Sequence, residues 1–188
     1  MKKLICVLIL STTLPAALWA GETGQEVIRA KQAIALFAQS LKSELVSAMQ
    51  AGGPVNAIEV CHSRAEVIAR QISQQSGMQL SRVSTFNRNP DNAARDWQIA
   101  VLETFEERRS AGEKANTLSW TETAETSGGP EFRFMKAIPT DGLCLQCHGT
   151  AIPAEVADKL AELYPHDKAV GYREGDIRGA FVVTSLLD

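Results

Sequence analysis

Five residues late in the chain, Cys144, Leu145, Gln146, Cys147 and His148, spell C-x-x-C-H, and nothing else in the sequence restricts the fold as strongly. Two thiols at this spacing with an imidazole directly after them form the attachment signature of c-type haem. Each thiol adds to one vinyl group, and the histidine is held under the iron as its proximal ligand. With four cysteines and three histidines in 188 residues, chance would spell the string about 0.001 times. A structural zinc site would need a fourth ligand and usually a second Cys or His pair. A thioredoxin-like dithiol would want a βαβ context, and the surrounding pattern lacks one. The fold therefore has to hold a haem between this segment and whatever supplies, or leaves open, the far side of the iron.

Residues 1–20 read as a secretory signal, with Lys2 and Lys3, an apolar run from Leu4 to Leu10, Pro15, and small residues up to Ala20. Leu18 stands three before the expected cut, where a small residue is preferred, so an uncleaved N-terminal anchor is the alternative. Membrane contact is expected only in that case. Either way the domain, residues 21–188, is expected in an exported compartment, the periplasm. Cys6 leaves with the signal, and an odd number of cysteines remains: Cys61, Cys144 and Cys147. In an oxidising compartment the leftover thiol is free, intermolecularly paired, or a ligand. The composition, 45% hydrophobic and 22% charged, is that of one ordinary globular domain. A net charge of −3 without a basic block argues against nucleic acid as a partner.

Over residues 24–50, Val27, Ile34, Phe37, Leu41, Leu45 and Met49 form a helical stripe that Gly52, Gly53 and Pro54 stop. A second helix is expected over 55–75, with Val55, Ile58, Ala65, Ile68 and Ile72 on one face. Alternation around Leu80 and Arg82 then predicts a short strand, and a turn-rich segment over 87–92 follows. A third helix is expected over 93–109, carrying Trp97, Val101 and Phe105. Strands over 117–126 and 132–138 read as a hairpin around Ser127, Gly128, Gly129 and Pro130. A short helix over 153–163 and a closing strand over 179–186 complete an α+β pattern: two N-terminal helices, then an antiparallel sheet, with the haem segment near the C-terminus.

His148 accounts for one face of the iron. On the second helix Cys61 and His62 each sit about 50° from the centre of the apolar face, on opposite sides, so periodicity does not choose between thiolate and imidazole. Met49, Met78, Met135 and an open or water-bound iron are further possibilities. His166, between Pro165 and Asp167, reads as a loop residue. No Met follows His148, which excludes the small-cytochrome plan of an early motif and a downstream methionine. Arg64, Arg82, Arg88 and Arg133 are candidate partners for the haem propionates, with Arg88 ranked first. Trp97, Phe132 and Phe134 are candidates to line the haem.

Taken together these features resemble a family of small exported bacterial c-type haem proteins of PAS-like fold, found alone and as sensor modules of signalling proteins. The resemblance rests on the paired N-terminal helices with Cys61 in the second, on Arg82-Val83-Ser84, and on Arg88-Asn89-Pro90 with Asn92. It rests also on Trp97 and Phe105, the C-L-Q-C-H-G string, and Gly175-Asp176-Ile177-Arg178-Gly179-Ala180 before the last strand. The resemblance implies one covalently bound haem c and a cysteine, matching Cys61, as the unusual second axial ligand. It further implies a redox or gas sensor or an electron carrier, not an enzyme, acting through a redox or signalling protein partner. Two other readings predict different structures. A helical-bundle cytochrome with an open distal site for a diatomic gas would have no sheet, and a haem enzyme would use His62 as a distal base.

Overall fold

The computed structural model describes residues 17–187, with side chains from residue 23 onward. The expected leader over 1–20, with Cys6, lies outside the residues whose side chains are described. Helix α1 (Ala17–Ser76) is broken where the sequence breaks its apolar stripe: Gly52 has φ −157° and ψ 19°, and Gly53 has φ 70° and ψ −165°. A positive φ of this size suits glycine, and the fixed φ of Pro54 suits the first turn of a new helix. The two expected helices are thus two arms joined at an elbow. Arg64 in the second arm holds Glu44 in the first through two hydrogen bonds of 2.8 and 2.9 Å.

Four strands follow, β1 (Gln79–Val83), β2 (Ser119–Thr126), β3 (Gly129–Pro139) and β4 (Ile177–Leu186). They form one antiparallel sheet in the order β1-β4-β3-β2. The two-residue period of a strand decides what packs on each face. Leu80, Phe132, Phe134 and Val183 meet Ala30, Ile34, Phe37, Ile68 and Ile72 of α1 on one side. Val83, Met135, Ala137 and Val182 meet Val101, Leu102 and Phe105 of α2 (Asp96–Ser110) on the other. The sheet is therefore the middle of three layers, and the bundle alternative falls on this observation.

Helix α2 begins at Asp96, later than the expected Ala93. Residues 92–94 are engaged elsewhere: Ser84 N–H donates to Asn92 O at 2.9 Å, and Ala94 N–H donates to Ser84 O at 3.3 Å. Helix α3 (Leu145–His148) is a single turn inside the motif that periodicity could not see. Helix α4 (Ala154–Leu163) lays Val156 and Leu160 on Ile58 of α1. At Gly179, φ is 152° and a Cβ would stand 2.3 Å from Val83 O, so only glycine lets β4 start this close to the end of β1. Among the described residues no helix is long and apolar enough to cross a membrane.

Candidate functional site

In the lower half of the first arm's stripe, Leu41 still packs against the sheet-side core, while Leu45 and Met49 lie beyond it. All three line a cavity of about 840 Å³ together with Ile58, Cys61 and His62 of the second arm, Arg82 of β1, Arg88, Tyr164, and the motif residues Cys144, Cys147 and His148. That volume falls within the range of about 300–1,000 Å³ usual for cofactor and ligand pockets. Its wall combines aliphatic side chains such as Leu41, Leu45, Met49 and Ile58 with many polar and charged ones.

The motif is shaped by a 3-10 turn over Gly142–Cys144 running into α3, whose pitch turns Cys144, Cys147 and His148 toward the same side. Gly149 N–H closes the turn on Leu145 O at 2.9 Å. A Cβ at Gly149 would lie 2.5 Å from that same carbonyl, so the turn is as tight as glycine allows. The segment that follows α4 then folds back along the motif. Gly171 N–H donates to Gly149 O at 3.0 Å, and Tyr172 N–H donates to His148 O at 2.9 Å.

This return strand, an irregular segment outside the β-sheet, sets the state of His148. Its Nδ1 lies 2.7 Å from Ala169 O. A carbonyl can only accept, so Nδ1 carries the proton and the lone pair is left on Nε2, the tautomer of a metal-binding imidazole. The Nε of Arg178, 3.2 Å from the same Nδ1, then finds no lone pair there and acts as a neighbouring charge. Arg178 is held in place by its Nη1 donating to Phe86 O at 3.3 Å and by the ring of Tyr172, 5.4 Å away. Burial, with the charges of Arg178 and Arg88, pushes the pKa of His148 down to about 2. The same burial and charges favour the neutral imidazole.

Arg88, ranked first as a propionate partner, lines the cavity but spends most of its donors on the protein. Its Nε donates to Asp167 Oδ2 at 2.9 Å, and its Nη2 donates to Cys147 O at 2.5 Å and Ala169 O at 3.3 Å. One guanidinium therefore ties the motif to the return strand that orients His148. Both members of the Arg88–Asp167 pair are only 11% exposed. Arg88→Ala is expected to cost about 3–5 kcal/mol by stranding the Asp167 carboxylate, seen as a lower urea midpoint. An unchanged midpoint would show that the pair is structurally idle.

The other predicted residues separate cleanly. Arg64 is engaged with Glu44, and Arg133 bonds Glu131 at 2.6 Å and lies over Trp97, so neither lines the cavity. Trp97 stacks on Trp120, and Phe132 and Phe134 are core residues, which corrects the expectation that these aromatics line the site. Met78 and Met135 are completely buried in the two cores, leaving Met49 as the methionine on the cavity wall. Cys61 is half-buried, whereas His62 is exposed with its ring edge-on to Tyr164 at 5.1 Å between centroids. Burial raises the pKa of the Cys61 thiol, and the nearby Arg82 guanidinium partly offsets that. His166 is an exposed loop residue.

Tyr164 and Ala169 carried no local signal, and Arg178 was visible only as part of the Gly175–Ala180 string. Tyr164 enters the site from the end of α4, Ala169 from the segment after it, and Arg178 from β4. Among the described residues no group of three or more His, Cys, Asp or Glu side chains is disposed to hold a metal ion by itself, which weakens the zinc alternative.

In fold the chain is similar to the crystal structure of the cyanobacterial heme-protein Tll0287, with a TM-score of 0.63 and 24% identity over 89% of this chain and 96% of that one. No curated protein matches it. The family model described as Tll0287-like matches residues 20–185, nearly the whole sequence, and the chain therefore belongs to the Tll0287-like family.

Proposed function

We propose that this protein holds one haem c in the 840 Å³ cavity, attached through Cys144 and Cys147, with His148 and Cys61 as iron ligands. We place it in the periplasm as a redox sensor or electron carrier without turnover of its own. The observation that carries the reading is the state of His148: neutral, oriented by Ala169 O, with Nε2 free, and one turn from two thiols on the wall of a haem-sized cavity. The donor set suits haem in three further respects. The first arm of α1 contributes Leu41, Leu45 and Met49, Cys61 offers a second donor to the iron, and Arg82 puts a cation where a carboxylate can be received. The fold match to a heme-protein supports the same reading.

Haem held there supplies one-electron chemistry at iron. The chain's own residues do the rest. Ala169 O and Arg88 keep the imidazole and the motif in register, and the α1 side chains exclude water from one face. Cys61 is carried on a helix arm whose elbow at Gly52–Gly53 lets its approach vary. A thiolate at that position favours the oxidised state, which gives a low potential and a bond that weakens on reduction. The sensor reading draws on this, because loss of the bond would release Cys61 and open a position at the iron.

The test is the ferric absorption and electron paramagnetic resonance spectrum of the protein matured with haem-attachment machinery, recorded beside Cys61→Ala. A low-spin thiolate signal in the native protein that vanishes in the variant is the expected result. Absence of any haem band would refute the reading. An unchanged signal would transfer the ligand to His62, and a high-spin native spectrum would favour gas binding or catalysis with His62 as base.

A further inference from the structure

Four guanidinium groups stand at the site, and three have their places explained, Arg70 by its pairing with Glu66. Arg88 is bonded to Asp167, Cys147 O and Ala169 O, and Arg178 reaches Phe86 O behind the His148 ring. Arg82 is different. It projects from β1 into the cavity, and among the described residues no carboxylate or carbonyl accepts a hydrogen bond from it. Its nearest described support is the face of Phe37, 5.3 Å from the guanidinium carbon. Of the acidic residues on the same wall, Glu66 is held by Arg70, and no contact joins Asp91 to Arg82. Burial lowers the affinity of Arg82 for its proton. A largely desolvated cation costs more than one aromatic face returns. The deficit is met only by an anion that enters the cavity.

We infer that Arg82 is the anion site of this cavity and receives a carboxylate of the bound haem, an assignment that rests on the haem reading above. Two anions compete for the position, a haem propionate and the Cys61 thiolate. The guanidinium fork matches a carboxylate through two parallel N–H···O bonds, whereas a sulfur accepts them poorly. A thiolate bound to iron also has its charge shared with the metal, which leaves the propionate as the stronger partner. Arg88, by contrast, is a positioning residue for the motif.

The test compares the holoprotein with Arg82→Gln and Arg82→Lys, each made in the native and the Cys61→Ala backgrounds, by midpoint potential and by yield of haem-loaded protein. Loss of the cation in Arg82→Gln is expected to lower the midpoint potential, and Arg82→Lys is expected to keep it near the native value. The lowering should be equally large in Cys61→Ala, because a carboxylate partner is independent of the thiolate. A haem-loaded Arg82→Gln with an unshifted potential would overturn the assignment. So would a shift that disappears in Cys61→Ala, which would give the cation to the thiolate. If Arg82→Gln accumulates no holoprotein, normal loading of Arg82→Lys supports the assignment and equally empty Arg82→Lys overturns it. Native protein without haem would instead remove the underlying haem reading.

Discussion

Replacing Cys144 and Cys147 together by alanine is expected to abolish covalent haem completely, read as loss of haem stain on a denaturing gel and loss of the haem increment in intact mass. The expectation follows from chemistry with no substitute: each thioether needs its own thiol, and the remaining cysteine of the domain, Cys61, lies on a different element. Each single replacement should leave one thioether, with reduced yield and an altered reduced-state spectrum. The fold need not suffer, because both side chains are only half-buried and neither belongs to the cores flanking the sheet. Covalent haem that survives the double replacement would refute attachment through the motif. Zinc in place of haem in the native protein would do the same for the whole reading.

Cys61→Ala is the second large effect. Exchange of an anionic thiolate for a neutral or absent ligand is expected to raise the midpoint potential by about 0.1 V or more, given that axial ligands tune haem over roughly 0.8 V. Spectroelectrochemical titration measures it. His62→Ala serves as the matched control, since its side chain is exposed and engaged with the Tyr164 ring, and its potential should stay at the native value. A large rise in His62→Ala with none in Cys61→Ala would reverse the two assignments. The neighbouring residues thus separate in an experiment although a helical wheel could not separate them.

How much of this was legible in the sequence depends on range. The break at Gly52-Gly53-Pro54, the hairpin between β2 and β3, and the closing strand are local signals, and each appears where composition and period put it. The apolar stripe of the first arm was also visible, but not its division of labour. Ile34 and Phe37 go to the sheet while Leu45 and Met49 go to the cavity, a split that helical period alone does not encode. Phe132 and Phe134 alternate correctly yet face the core, because both faces of this sheet are covered and period alone does not say by what. Arg88 and Arg82 look alike in a sequence. Only the return strand, which brings Asp167 and Ala169 to Arg88, shows that one is committed and the other free for a ligand. The proton on His148 Nδ1 has the same origin, a carbonyl distant in the chain.

The order of strands in the sheet has a consequence for the timing of assembly. The strand synthesised last, β4, lies between β1 and β3, so neither neighbour can complete its hydrogen bonds until nearly the whole chain is available. Such non-local closure is slow compared with helix formation. Segment 144–148 precedes β4 in the chain, and its backbone partners at residues 171 and 172 precede β4 as well. A folding chain therefore passes through an interval in which α1 has formed and the sheet has not closed. On the haem reading proposed above, that interval is when attachment meets a chain whose last strand is still undocked.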